Sequence, residues 1–290
     1  MKNLDVVVVG SGIAGMTAAI YLKRQNKNVI IIEKEVPGGQ LIKIPNIENY
    51  PGFSSISGYD LAINIYNQIN NLDIPIIYEN VTNVTEGKVV TSMNTYNCKH
   101  IIIATGRIPS KLHLDKEDDL IGRGISYCAT CDGAFYKNKN VAVVGSGSSS
   151  ITEALYLSNI CDKVYVICRK DKLKAEQILI NEILEKQNVN IIYNCEINKL
   201  NIEENKLSSI SLNNKEILKI SGLFICIGYE PNFYQNKEMK KTNGYINVDG
   251  NMKTNISNIY AIGDIIKKDV YQLTTAVAEA TICAEYINKH

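Results

Sequence analysis

Apolar and polar positions along this chain run through two similar cycles. Each opens on an unbroken apolar run ending in glycine: Val6-Val7-Val8-Val9 before Gly10, and Val141-Ala142-Val143-Val144 before Gly145. A short run of this kind, bounded by glycine, reads as a strand buried on both faces, as in parallel sheets. The period then lengthens. Met16-Thr17-Ala18-Ala19-Ile20-Tyr21-Leu22 and Glu153-Ala154-Leu155-Tyr156-Leu157 read as helices. Val29-Ile30-Ile31-Ile32 and Lys163-Val164-Tyr165-Val166-Ile167 read as the next strands. Strand, helix, strand in this order predicts βαβ units, because parallel neighbours need a crossover. Two more apolar strands close the cycles on small-residue turns, at 99–106 and 222–228. A last strand, Asn258 to Ile262, reaches Gly263-Asp264 ahead of a helical stretch from Thr275 to Asn288. The whole predicts an α/β chain of two Rossmann-like, three-layer domains, the second inserted into the first. Residues 1–113 and 243–290 form the outer domain and 114–242 the inserted one. The connections near Leu114-Asp115 and Lys241–Asn243 are polar, as domain boundaries are.

The glycine turns carry candidate chemistry. Gly10-Ser11-Gly12-Ile13-Ala14-Gly15 follows a strand and opens a helix, and Glu33 closes the next strand about 20 residues later. The first glycine permits the tight turn, the second lets backbone approach a pyrophosphate, and the third lets helix pack on strand. The helix start offers N–H groups and positive dipole to phosphate, and Glu33 can accept from a ribose hydroxyl. In the second cycle Gly145-Ser146-Gly147-Ser148-Ser149-Ser150 repeats the turn with serine at the third small position. The strand that follows ends not in an acid but near Arg169, Lys170 and Lys174. Cations there suit a 2′-phosphate, so the second turn is read as an NADPH site. Gly263 and Asp264 are read as a further approach to a polyol or ribose.

Composition changes this picture little. The chain has 290 residues, 45% of them hydrophobic and 21% charged, with a net charge of +1. That balance gives no bulk electrostatic reason to expect nucleic acid or an anionic membrane as partner. The apolar run at the N-terminus falls short of a signal sequence, and no run approaches the ~18 apolar residues of a membrane span. A cytoplasmic protein is expected.

Of eight cysteines only Cys128 and Cys131 form a close pair, in Tyr127-Cys128-Ala129-Thr130-Cys131-Asp132-Gly133. A structural zinc site needs about four ligands, and the histidines, at 100, 113 and 290, are scattered. A static disulfide does not suit a reducing compartment, and two inert core cysteines at this spacing beside an acid are unusual. Two intervening residues at a helix start bring both sulfurs within bonding distance, and a thiolate there is stabilised. The pair is therefore read as redox-active and catalytic, with Asp132 as the acid–base that serves a departing thiolate. The other six cysteines are expected to act as small apolar residues.

Taken together these motifs resemble the low-molecular-weight, bacterial-type thioredoxin reductases, within the flavin-dependent pyridine nucleotide–disulfide oxidoreductases. The resemblance runs along nearly the whole chain. It rests on Gly10 to Gly15, Pro37-Gly38-Gly39-Gln40-Leu41, Ile47-Glu48-Asn49-Tyr50-Pro51-Gly52, Ala104-Thr105-Gly106, Cys128 to Gly133, Glu153 to Asn159 and Ala261-Ile262-Gly263-Asp264. It implies FAD in the first domain, NADPH in the second, a homodimer, and thioredoxin as the protein substrate. It places Gly10, Ser11, Gly12, Ile13, Ala14, Gly15, Glu33, Lys34, Gly39, Gln40, Leu41, Asn49, Thr105, Gly106, Gly263, Asp264, Tyr271, Gln272 and Leu273 at FAD. It places Gly145, Gly147, Ser148, Ser149, Ser150, Arg169, Lys170 and Lys174 at NADPH. Five positions depart from the family pattern: Ser150 stands for alanine, Lys170 and Lys174 for two of three arginines, Cys168 for histidine and Tyr271 for arginine. The alternatives are a ferredoxin-driven flavin reductase of the same partner and a non-catalytic flavin redox sensor.

Overall fold

The computed structural model describes residues 4–44, 46–233, 236 and 238–290. The chain divides into two compact units, Met1–Ile108 with Glu230–His290, and Pro109–Tyr229 between them.

The first unit is built on a parallel sheet in the order Ile76–Tyr78, Val29–Glu33, Leu4–Val9, Thr95–Ile103, Ile259–Ala261. Val9 stands level with Ile32 on one side and Ile103 on the other, so all three strands stop together at the glycine turn. Alternate residues of a strand face opposite sides of the sheet, and here both sides are buried. Val6, Val8, Ile31 and Ile102 pack against the helices Ile13–Arg24, Gly58–Asn71 and Leu273–Lys289. Val7, Val9, Ile30, Ile32, Ile101 and Ile103 form a second core with Val84 and Val89. Those two valines come from the antiparallel strands Val81–Thr85 and Lys88–Thr91, which continue from the first half of Thr95–Ile103.

The second unit repeats the plan. Its main sheet has five strands, all parallel, in the order Val189–Ile192, Lys163–Ile167, Asn140–Val144, Gly222–Ile225, Ile125–Ser126. Val141, Val143, Val164, Val166 and Phe224 face the helices Ser148–Ser158 and Gln177–Leu184. Ala142, Val144, Ile167 and Leu223 face an antiparallel meander, Ile197–Glu203, Lys206–Leu212 and Ile217–Lys219. Both units are therefore three-layered and Rossmann-like, with helices on one face of the parallel sheet and antiparallel strands on the other.

The division into compact units differs in place from the boundaries expected from polar connections. Contacts divide the units at 108/109 and 229/230, where the sequence pattern led to 113/114 and 242/243. Met239 is buried in the second core of the first unit and Phe233 packs against it, which ties 230–242 there. Leu112 packs on the core of the inserted unit, and Ser110 donates its N–H to the Gly228 carbonyl. The polar stretch at Lys241–Asn243 belongs to a tight hairpin. Lys241–Thr242 pairs with Tyr245–Ile246 around Asn243-Gly244, both at positive φ. An Asn-Gly turn of that type is polar because both positions need φ above zero.

Candidate cofactor and redox sites

At the first turn the glycines are demanded by sterics. Gly10 lies at φ +104°, and a Cβ there would meet the Ala104 carbonyl oxygen at 2.5 Å. A Cβ on Gly15 would overlap the Gly10 carbonyl oxygen outright. Around Gly12 nothing lies within 4 Å of where a Cβ would stand. Backbone is thus bare at the start of helix Ile13–Arg24, which has no side-chain cap. Such a start presents unsatisfied N–H groups to an anion. Ile13 and Ala14 turn inward to the core.

Glu33 closes the turn from the next strand. Its Oε2 accepts from Ser11 N–H at 2.8 Å and Ser11 Oγ at 2.7 Å, and its Oε1 from the N–H of Lys34 at 2.8 Å and of Glu35 at 3.0 Å. A carboxylate has about four acceptor positions, and all four are used. Of these donors, the Ser11 hydroxyl is the one that can rotate away and free an acceptor position. Lys34 turns aside, its ammonium 3.1 Å from Glu35.

The remaining residues expected at the first site converge from distant segments. Gly39 (φ +54°) brings its backbone against Gly12, within 3.5 Å of a Cβ built on it. Gln40 donates to the Arg107 carbonyl at 3.3 Å, while the Leu41 side chain is core. Asn49 Nδ2 donates to Gln272 Oε1 at 3.2 Å, across 223 residues of chain. Gln272 caps helix Leu273–Lys289 in a reciprocal pair with Thr275, and Leu273 packs on the core. Gly263 takes φ +75° and its N–H is accepted by Glu279 at 2.8 Å. Gly106 also lies at positive φ, +65°.

Sequence reasoning missed the group that organises Asp264. Arg107 gives its Nε and Nη2 to Asp264 Oδ2 at 3.1 and 2.8 Å, and its guanidinium lies over the Tyr271 ring, 4.2 Å from the centroid. Lys268 stands 3.5 Å from the other Asp264 oxygen and donates to both oxygens of Glu279 at 2.9 and 3.0 Å. Burial raises the Glu279 carboxyl above its usual range, with Lys268 opposing it. The one signal in sequence was a lone arginine directly after Ala104-Thr105-Gly106.

One atom shows that this cradle fits a ligand. Thr105 Oγ1 is buried and has no hydrogen-bond partner, a costly state that native sites resolve with a bound group. With the open backbone at Gly12, it makes the first site fit a dinucleotide such as FAD.

At the second turn Gly145 lies at φ +142°, where a Cβ would overlap the Cys226 carbonyl oxygen, and Gly147 is as open as Gly12. Ser150 is almost fully buried, and its hydroxyl donates to the Gly147 carbonyl at 2.7 Å. The loop after the neighbouring strand folds back over the turn. Lys174 N–H donates to the Ser146 carbonyl at 2.6 Å and Glu176 N–H to Ser148 Oγ at 3.2 Å. Lys174 is thereby held beside the glycines, with Ser149, Arg169 and Lys170 also exposed there. Arg169 keeps a loose contact with Glu196 at 3.8 Å. Cys168 is buried beneath, its thiol 3.6 Å from the Gly145 carbonyl and pushed up to about 11 by burial. The open Gly147 backbone and the exposed cations fit a phosphorylated dinucleotide.

Cys128 and Cys131 are joined, with a Cα–Cα distance of 5.3 Å. Cys128 caps the four-residue helix Ala129–Asp132, and its sulfur accepts the Cys131 N–H at 3.2 Å. Cys131 is exposed and Cys128 half-buried. Ser126, buried below, ties the turn together. It donates to Asp132 Oδ2 at 2.7 Å and accepts the Cys128 N–H at 3.0 Å. Asp132 is thus fixed within one turn of both sulfurs. Among the described residues no cluster of three or more His, Cys, Asp or Glu side chains could hold a metal, and no helix is long and apolar enough to cross a membrane.

Comparison with known proteins agrees with this geometry. The family description "Pyridine nucleotide-disulphide oxidoreductase" matches residues 4–280. The thioredoxin reductase of Listeria innocua is 36% identical over 300 residues, covering 100% of this chain and 94% of that protein. That of Ureaplasma parvum is 38% identical over 297 residues, covering 99% and 96%. The crystal structure of Lactococcus lactis thioredoxin reductase in its FR conformation superposes with a TM-score of 0.89 at 35% identity, covering 99% of this chain and 98% of that one.

Proposed function

The chain belongs to the pyridine nucleotide-disulphide oxidoreductase family, and on that footing we propose that it is an NADPH-dependent thioredoxin reductase. The observation that carries the reading is the Cys128–Cys131 disulfide, set in the same unit as a cation-flanked dinucleotide turn. The reaction is the passage of two electrons from NADPH to that disulfide and on to the disulfide of thioredoxin. FAD, when bound, supplies the hydride and electron chemistry between the nicotinamide and sulfur. Residues Gly10 to Gly15, Gly39, Gln40, Asn49, Thr105, Asp264 and Gln272 hold it. Gly145 to Ser150 hold the NADPH pyrophosphate, and Arg169, Lys170 and Lys174 its 2′-phosphate.

The chain's own chemistry is thiol–disulfide exchange. With two electrons and two protons taken up, the Cys128–Cys131 bond opens to a dithiol. One sulfur, as thiolate, attacks the partner disulfide, and the second attacks the resulting mixed disulfide and releases the partner as a dithiol. Asp132, oriented by Ser126, carries the proton that each departing sulfur needs. A partner couple of roughly −270 mV requires a strongly reducing donor, which NADPH is. A homodimer in the cytoplasm completes the reading.

Anaerobic titration of the yellow protein tests it, with NADPH, NADH and reduced ferredoxin added separately. NADPH is expected to bleach the flavin at far lower concentration than NADH, and thioredoxin disulfide to restore the colour. Bleaching by ferredoxin alone would replace this reading with the ferredoxin-driven one. In Cys131→Ser, NADPH still bleaches the flavin while thioredoxin reduction falls by at least ~10³-fold.

A further inference from the structure

The register of the first sheet brings Arg107 and Asp264 to one edge. Strand Ile259–Ala261 runs parallel to Thr95–Ile103, with Ala261 level with Ile103. Arg107 lies four residues past Ile103 and Asp264 three past Ala261, so both fall at the carboxyl edge of the sheet. Val9 is also level with Ile103, which sets the first glycine turn on that edge. Ligands of open parallel sheets bind along it. Three residues expected at FAD meet Arg107 there. Gln40 Nε2 donates to its carbonyl at 3.3 Å. Its Nε and Nη2 donate to Asp264 Oδ2 at 3.1 and 2.8 Å. Its guanidinium covers the Tyr271 ring, 4.2 Å from the centroid. Thr105, whose buried hydroxyl has no partner, stands two residues before it.

The two oxygens of Asp264 are occupied differently. A carboxylate oxygen offers about two acceptor positions, and Arg107 fills both on Oδ2. Oδ1 has Lys268 Nζ at 3.5 Å, an ion pair too long for a good hydrogen bond. That ammonium is engaged by Glu279, whose oxygens it meets at 2.9 and 3.0 Å. Oδ1 therefore keeps acceptor capacity, and the Asp264 side chain is 32% exposed, open to a ligand. A guanidinium is suited to this hold, because its fork is planar and stacks on aromatic faces. With Oδ2 tied and the fork seated on Tyr271, Asp264 is ordered before a ligand arrives, which lowers the entropy lost on binding. Glu33 is the acceptor for the ribose of a dinucleotide. FAD carries a second run of hydroxyls, its ribityl chain, and Asp264 is the acceptor left for it.

We infer that Arg107 is a positioning residue of the flavin site: it ties off Asp264 Oδ2 and so reserves Oδ1 for a hydroxyl of the ribityl chain. The inference rests on the reading of the first site as the FAD site, and on nothing about NADPH, the sulfur pair or thioredoxin.

The test is the dissociation constant of FAD, read from the free-flavin fluorescence that appears as holoenzyme is diluted. Arg107→Met keeps an apolar stem on Tyr271 and removes the fork. Its constant is expected to rise about tenfold, the loss of a charged hydrogen-bonded hold. Arg107→Lys keeps the charge without the fork and is expected to stay within about threefold of the parent. In an Asp264→Asn background, Arg107→Met is expected to change the constant by less than about twofold, because its effect passes through that carboxylate. An Arg107→Met constant within about twofold of the parent overturns the inference, even if the variant melts earlier. An undiminished rise in the Asp264→Asn background overturns it too, since a merely structural role loosens the site whatever stands at 264. Arg107→Gln takes the place of the methionine variant in the same cycle if that one fails to accumulate. Failure of the FAD reading looks different: the parent itself then purifies without flavin and takes up none, and the inference falls with it.

Discussion

The two glycine turns are built alike as far as their second glycine. In each the first glycine adopts a positive φ against a carbonyl of the neighbouring strand, Ala104 in one and Cys226 in the other. In each the second glycine leaves the backbone open. They part at the third small residue. Gly15 has no room for a Cβ, whereas Ser150 holds a full side chain with its hydroxyl on the Gly147 carbonyl. They part again at the end of the following strand, where Glu33 folds back onto Ser11 but Arg169, Lys170 and Lys174 face outward. Two demands that one motif lumps together are thereby separated. The first two glycines answer to the turn and the ligand, and the third answers only to how closely the helix lies on the strand.

Exchanging residues between the turns tests this. Gly15→Ser gives the first turn the residue of the second and is expected to act most strongly. The side chain must displace the Gly10 carbonyl, so stability falls by about 3 kcal/mol or more and the purified protein loses its flavin absorbance. Next comes replacement of Arg169, Lys170 and Lys174 by alanine. The KM for NADPH is expected to rise at least ~10²-fold, about 2.7 kcal/mol, with that for NADH nearly unchanged. Steady-state kinetics with both nucleotides checks it, and an equal rise for both would remove the 2′-phosphate assignment. Ser150→Gly, the reverse exchange, is milder. It loses one hydrogen bond and adds a helical glycine, together about 1–2 kcal/mol by denaturant unfolding, and leaves flavin content intact.

The smallest effect is expected at the foot of the first strand. Asp5 accepts the Asn28 N–H at 2.8 Å and pairs with Lys99 at 2.9 Å, where the second unit has Asn140 at the start of its own central strand. The Asn28 N–H, then Lys99, hold the Asp5 carboxyl below its usual range. A folded-state value below the unfolded one stabilises above the unfolded pKa, and that contribution is lost as pH falls through the folded value. Asp5→Asn is therefore expected to cost under ~1 kcal/mol at neutral pH. The gap between parent and variant melting temperatures should close below about pH 4.

Much of this was legible before any coordinates. Unbroken runs such as Val6 to Val9 marked strands buried on both faces. The glycine spacings marked the turns, and the cysteine spacing marked a pair able to bond. All of these are local: a period, a spacing and a bond angle act within a few residues, so sequence order alone carries them. The polar stretch near residue 242 reads the same way locally in either case, since an Asn-Gly hairpin turn and a domain connection are both polar.

Other features depended on which segments meet in space. The third layer in each unit is made of antiparallel strands that no local pattern assigned to a face of the parallel sheet. Arg107 finds Asp264 across 157 residues and Asn49 finds Gln272 across 223. Glu153 and Cys226, 73 residues apart, meet only because a helix and a strand end converge. Burial and charge at such points come from the packed fold, through distances that sequence separation does not encode. The chain's order therefore specified the two turns and the sulfur pair, and packing selected the charges that surround them.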